Sequence, residues 1–353
     1  MVRIGRVIAL LGAVSSVAAC GGSKQQGGAD LAQSGQMDLA SASDLYMCVK
    51  DESLKLVVNK FLLPTTSDPA SSESYAYDLN GDGVGDNKFG ALMSLLNGSL
   101  QYQGQTLQTT MDAAVTTKGT VLLLLRVQAD SLATSECGEL TTGLAATQAN
   151  PVVSGGGTFT LASTPTTLPA TITSAALQTP SPVTASAGLQ VRMKLPLGYD
   201  GSTVEFAIDA AHVEGNVDVA NQRFLSGKLN GAIRYSEFKQ KILPALASAF
   251  TQLLADPSAS TTTQAAVKSL LDKGCTTGEL AGDSVISVCE LTGGALKSAL
   301  LPDLDLYSDT SRDDALNVVG SYGTYAPKAS AANALENDSV SIGMGLTAAS
   351  ALF

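Results

Sequence analysis

Tryptophan is absent from the 353 residues, aromatic residues make up 5% of them and charged residues only 15%. With so few rings, sugar recognition by aromatic stacking has little to draw on. Histidine occurs once, at position 212, so any Ser-His-Asp or Cys-His arrangement would rest wholly on His212. That residue lies in an alternating, strand-like run with no nucleophile motif beside it. No GxSxG, HExxH, Walker A or GxGxxG pattern occurs, and no CxxC pair offers zinc-ligand spacing. The net charge of −11 argues against nucleic acid and against an anionic membrane surface as partners. No internal repeat is visible.

Against these absences stands one dense stretch, Asp78-Leu79-Asn80-Gly81-Asp82-Gly83-Val84-Gly85-Asp86. Its oxygen side chains fall at alternate positions, with glycine sixth. A hard divalent cation takes six to eight oxygens, and alternate residues of a tight coil can all turn inward to supply them. Gly81, Gly83 and Gly85 allow the backbone angles such a coil needs. The spacing resembles an EF-hand-type calcium loop, and the ligands it implies are Asp78, Asn80, Asp82, the Val84 carbonyl and Asp86. Phe89 stands where a full EF-hand has its bidentate glutamate, so the remaining ligands must come from water or elsewhere in the chain. A second stretch resembles the back half of such a loop when Glu290 is set at position 12. Glu279, Asp283, Val285 and Ser287 then fall at positions 1, 5, 7 and 9, but Ala281 sits at 3 and Ser284 replaces the glycine at 6. It reads as a degenerate hand held by cysteines instead of an ion. An acidic run, Asp303, Asp305, Asp309, Asp313 and Asp314, follows Pro302; it suits either distant ligands, an acid/base pair or a solvated loop.

The N-terminus carries Arg3 and Arg6, an apolar run from Val7 to Val14, and then Val17-Ala18-Ala19-Cys20. The run is too short to span a bilayer, so residues 1–19 read as a signal peptide. The ending resembles the bacterial lipobox, which implies that Cys20 is lipidated and anchors the chain to a membrane. Gly21 follows where an inner-membrane lipoprotein would carry aspartate, which favours the outer membrane. Residues 20–43, rich in Gly, Ser and Gln, form a flexible tether. The other cysteines, Cys48, Cys137, Cys275 and Cys289, are even in number, as an oxidising compartment would have them. Three pairings are possible. The preferred one joins Cys275 to Cys289 across one compact loop, leaving Cys48 with Cys137.

Residues 44–353 read as one β-rich body: a calcium-loop subregion to 118, a β core from 119 to 235, and a helical segment with a closing strand from 236 to 353. Strand patterns run over Ser53–Leu63, Thr120–Val127, Thr158–Ala162, Ala170–Leu177, Ala187–Leu195, Thr203–Val213, Phe224–Ile233 and Ser339–Phe353. Helical spacing marks the residues after Asn87, Leu107–Thr117, Tyr235–Leu254 with a kink or a break expected at Pro244, Thr262–Leu271 and Leu291–Leu300. The expectation is an α+β fold, an antiparallel sandwich or partial barrel with short helices packed on it. The last strand is a poor match to the closing strand of an outer-membrane barrel, because Ala351, Ala349 and Thr347 occupy the positions that would face lipid.

Taken together, the chain resembles uncharacterised bacterial outer-membrane lipoproteins. The resemblance implies a location and no activity. The expected function is that of a non-enzymatic, lipid-anchored envelope protein with a structural calcium ion. A calcium-dependent adhesion or glycan-binding module, with an envelope protein or glycan as partner, and a carboxylate-based hydrolase are the alternatives.

Overall fold

The computed structural model describes residues 49–64, 70–99, 105–183, 189–275, 280–294, 296–328 and 335–353. Cys20, Cys48 and Glu279 lie outside them, as do the signal and tether segments. Twelve strands are seen among the described residues: β1 (Glu52–Leu62), β2 (Leu123–Ala129), β3 (Ser135–Leu144), β4 (Gly157–Thr158), β5 (Thr166–Thr173), β6 (Ala176–Gln178), β7 (Val191–Leu195), β8 (Val204–Asp218), β9 (Arg223–Arg234), β10 (Asp305–Tyr307), β11 (Tyr325–Lys328) and β12 (Ser339–Leu352). Eight of them pair in the order β1-β2-β3-β5-β6-β8-β9-β12, antiparallel throughout, and β12 pairs back onto β1. The sheet is therefore a closed barrel, not the sandwich or open barrel expected from the sequence. Closure removes the free edges that an open sheet would have to protect. Outside the closed path, β4 runs parallel to the end of β12, β7 pairs with the first half of β8, and β10 and β11 form a separate pair.

Alternation explains which face points where. In β5, Leu168, Ala170 and Ile172 are buried while Thr167, Pro169, Thr171 and Thr173 are exposed. Leu56, Leu125, Leu140, Ile172, Leu177, Val213, Leu229 and Ile342, one from each stave, share a single apolar core. An eight-stranded barrel is just narrow enough for side chains to fill it. The helices are α1 (Ala70–Ser74), α2 (Lys88–Ser99), α3 (Leu107–Thr116), α4 (Tyr235–Glu237), α5 (Leu243–Ala255), α6 (Thr261–Leu270), α7 (Val288–Gly293) and α8 (Lys297–Leu300). Phe89 of α2, Met111 of α3 and Phe250 of α5 join the same core. At Pro244 the helix is irregular and not broken: a π-helical turn, Phe238–Ile242, passes directly into α5, which carries the proline in its first turn, and Ile242 and Leu243 keep helical angles across the junction.

Both faces of β12 are buried from Ser339 to Leu346. Val340, Ile342, Met344 and Leu346 enter the main core. Ser339, Ser341, Gly343 and Gly345 face the other way, and their small size leaves room for chain packed outside the barrel. A second, smaller core forms on that outer face from Leu79, Ala210, Ala232, Leu304, Leu306 and Tyr307. A bulge in β8 makes this face possible. Asp209 opposes Ala232 and His212 opposes Asn230, with one residue too many between them and Ala210 in a left-handed conformation at φ 51°. The extra residue rephases the strand, so Asp209 and His212 look outward together.

Asp338, just ahead of β12, holds β10 in place. Its carboxylate accepts the Leu306 and Tyr307 backbone N–H groups at 3.2 and 2.8 Å and the Ser339 hydroxyl at 2.6 Å. Burial pushes its pKa up to about 6, with Asp305 adding repulsion and those three hydrogen bonds opposing. A carboxyl raised on folding binds more protons in the native state, so its contribution is full below pH 4 and is lost as pH rises towards 6. At 1.36 kcal/mol per pKa unit the loss is about 3 kcal/mol. Urea melts from pH 4 to pH 7 should therefore show a steeper decline for the wild type than for Asp338→Asn. Equal slopes would contradict the assignment.

Candidate metal centre

The Asp78–Asp86 stretch is an irregular coil leading into α2, and its ends are tied. The Asp86 N–H donates to the Tyr77 carbonyl at 2.9 Å, closing the loop into an antiparallel bridge. Each oxygen side chain organises the coil. Asp78 accepts the N–H groups of Gly81 and Gly83 at 2.6 and 3.0 Å, one on each carboxylate oxygen. Asn80 Oδ1 accepts from Asp82 N–H at 3.1 Å, Asp82 Oδ1 from Val84 N–H at 2.8 Å, and Asp86 Oδ2 from Leu79 N–H at 3.0 Å. Gly81 and Gly83 both stand at φ 82°, a region a side chain would strain. A carboxylate oxygen that accepts one N–H keeps a second lone pair, so the same groups can brace the loop and face a cation. Among the described residues, no three His, Cys, Asp or Glu side chains are already gathered at metal-binding distance.

Acidic groups crowd the end of the loop. Burial drives the Asp86 pKa up to about 7, against the Leu79 N–H, and Asp303, Asp82 and Asp78 add repulsion in that order. Asp303, from the acidic run after Pro302, is thus the distant carboxylate nearest in effect to the loop. Its oxygens accept the Ser341 N–H at 2.9 Å and the Ser341 hydroxyl, and burial pushes its pKa upward. Asp305 instead pairs with Lys328 at 3.4 Å, and Asp313 is engaged by Asn317.

The loop is fastened to the barrel on both sides. Leu79 is fully buried in the outer core, and Tyr77 stacks on His212 with ring centroids 3.9 Å apart. His212 is fully buried, and burial holds its imidazole below the usual pKa; Nδ1 lies 3.3 Å from both the Thr179 hydroxyl and the Pro180 carbonyl. Past the loop, Asn87 Oδ1 caps α2 through the Gly90 N–H, while its Nδ2 donates to the carbonyls of Ser72 and Gly343. The Lys88 N–H donates to the Ser341 hydroxyl at 2.7 Å.

The second stretch repeats part of this geometry with a different acid. Gly282 and Ser284 take left-handed angles of 81° and 64°, and both N–H groups donate to Asp272, a buried carboxylate seven residues before Glu279. Asp283 accepts from the exposed Val285 at 2.8 Å, as Asp82 does from Val84. Asp272 was not anticipated, because a fixed twelve-residue register leads to Glu279. Both oxygens of Glu290 serve the backbone: Oε2 accepts the Ser287 N–H in a capping box opening α7, and Oε1 accepts Gly274 N–H at 2.7 Å. Cys275 and Cys289 are joined in a disulfide. Cys137 is also disulfide-bonded, to a residue outside those described.

Among the described residues, no helix is long and apolar enough to cross a membrane. No protein-family model matches this chain, and no curated protein or solved structure shows significant similarity to it.

Proposed function

We propose that this is a lipid-anchored cell-envelope protein, held at the outer membrane through Cys20, whose Asp78–Asp86 loop carries a structural calcium ion. The observation that carries the ion is the loop itself: four oxygen side chains in alternating register around two left-handed glycines, with Asp86 pushed to about pKa 7 by burial and by the acids around it. Calcium relieves that repulsion by replacing the proton. The ion is structural because the loop sits on the barrel through Leu79, Tyr77 and Asn87, so ordering it orders the outer face. The membrane anchor rests on the lipobox-like sequence before Cys20.

A calcium-dependent glycan module is the second reading. Glu214, which lies 3.9 Å from His212 Nε2, lines a groove of about 350 Å³ with Thr171, Thr173, Gln178, Asn216 and Lys228. That lining mixes these polar groups with Ala176 and Leu177 and has no aromatic ring for a sugar to stack on. Carboxylate hydrolysis needs two facing acids. The groove at Glu214 and a smaller one at Asp200 hold one carboxylate each.

Calorimetric calcium titration tests the ion. The wild type should bind saturably, and Asp82→Ala should weaken binding at least tenfold. At calcium a hundredfold above Kd the wild type should gain about 2.7 kcal/mol of stability. Absence of saturable binding in the wild type would reduce the loop to a glycine-rich turn. A ligand-bridging ion would stabilise the chain by the same linkage, and would show itself instead as glycan binding that chelation abolishes.

A further inference from the structure

In β2, Arg126 lies between Leu125 and Val127, whose side chains fill the barrel, so alternation turns the guanidinium to the outer face. Lys55 of β1 and Thr141 of β3 stand opposite it on either side. Its Nη2 reaches the Thr141 hydroxyl at 3.5 Å, and its Nε is buried without a hydrogen-bond partner. Among the described residues no carboxylate pairs with it. Glu139, two residues before Thr141 and on the same face of β3, is taken by Lys50. The Lys55 ammonium is also engaged: it donates to the Phe353 carbonyl at 2.7 Å and lies 5.5 Å from the centre of that ring.

A cavity of about 100 Å³ opens beside this guanidinium. Arg126 and Thr141 form its polar side, and Leu124, Leu161, Pro165 and Phe353 form its apolar walls. The chain over it is fixed in place. The Ala162 N–H donates to the Leu144 carbonyl at 2.8 Å and the Leu144 N–H to the Ser163 hydroxyl at 2.9 Å, which hold Leu161 and Pro165 above the strands. A guanidinium does not lose its charge in a protein. Half-buried, with one long hydrogen bond, this one is short of partners. Its planar fork matches the two oxygens of a carboxylate. The cavity falls far below the roughly 300 Å³ at which drug-sized sites begin, so its occupant has only a few heavy atoms. The apolar walls favour an alkyl end and penalise a second charge.

We propose that this cavity binds a short-chain monocarboxylate of acetate to propionate size. Arg126 takes both carboxylate oxygens, and the alkyl end lies among Leu124, Leu161, Pro165 and Phe353. The site uses no residue of the Asp78–Asp86 loop and does not depend on the calcium reading.

The test uses the full chain in calcium-free buffer at constant ionic strength. Sodium propionate and inorganic phosphate are each titrated in place of chloride, with heat of binding and melting temperature recorded. The expected result is saturable binding of propionate, with phosphate weaker. Arg126→Gln should weaken propionate binding about tenfold, the worth of one lost charge-assisted contact. That substitution strands no acid, so the variant should fold. Gly143→Ala places a carbon on the cavity wall, 2.7 Å from Leu161 Cδ2, and should weaken propionate binding while Arg126 stays in place. A wild type with no saturable response overturns the proposal and leaves the cavity to water. Propionate binding unchanged in both variants overturns it as well, because the anion then sits elsewhere. Phosphate binding as tight as propionate also overturns it, because charge alone then decides.

Discussion

Arg234→Met should lower stability by about 3 to 5 kcal/mol, the range for breaking a buried ion pair by removing one partner. Asp209 is 2% exposed, and its Oδ2 accepts from Arg234 Nε at 2.6 Å while Oδ1 accepts from Gln190 at 2.8 Å. Removing the guanidinium strands a carboxylate on the outer face with one amide for company. The same guanidinium lies over Tyr307 and Tyr322, at 4.7 and 5.2 Å from the ring centres, and donates to the Tyr307 hydroxyl. Its loss therefore also loosens the segment carrying β10. Arg234 keeps 37% of its side chain in water, so the cost belongs nearer the lower end. The double variant Asp209→Leu/Arg234→Met should recover much of the loss, because both charges leave together. Urea denaturation measures each step. A single-variant loss under about 1 kcal/mol would show that Asp209 finds another partner.

The fold was legible where the signal is local. Ser53–Leu63 and Phe224–Ile233 became staves, and the periodicity after Tyr235 became helix with a π turn just ahead of Pro244. What escaped was non-local or unmarked. Ala170–Leu177 read as one strand but is a hairpin, turned by Ser174 and Ala175 at φ 51° and 63°. Neither residue is the glycine or asparagine that announces such a turn. Stave β3, with Glu136, Glu139 and three glycines or threonines in a row at its end, lacks the alternation that flags a strand. Closure is the pairing of β1 with β12 from opposite ends of the chain, and no short window of sequence encodes it.

The coil at Asp78–Asp86 was legible for the same reason the strands were: its oxygen side chains lie close together in sequence, and they brace the backbone turns themselves. The acids around it were not. Asp303 was visible only as one of five aspartates, and its turn towards Ser341 depends on β12 being in place. Asp272 braces the second loop from outside any register that Glu290 can set.

That dependence of the loop on β12 can be tested at one atom. A methyl group at Gly343 would sit on the Tyr75 carbonyl oxygen and lie 2.8 Å from Asn230 Oδ1 and 3.0 Å from Asn87 Nδ2. The first neighbour is backbone and cannot rotate away. Gly343 also supplies the carbonyl that Asn87 Nδ2 reaches at 3.1 Å. Gly343→Ala should cost about 3 kcal/mol, the upper end for overpacking a tight site. The strain falls on the segment from Tyr75 to Asn87, which has to lift from the strand, whereas the pairing of β12 with β9 and β1 runs along its other edges. Calcium affinity should fall at least tenfold, while far-ultraviolet circular dichroism keeps the barrel's signal. Gly293→Ala, where nothing lies within 4 Å of the added carbon, is the matched control and should leave both unchanged. If Gly343→Ala binds calcium as the wild type does, the loop holds its shape without the barrel, and the ion orders only the loop.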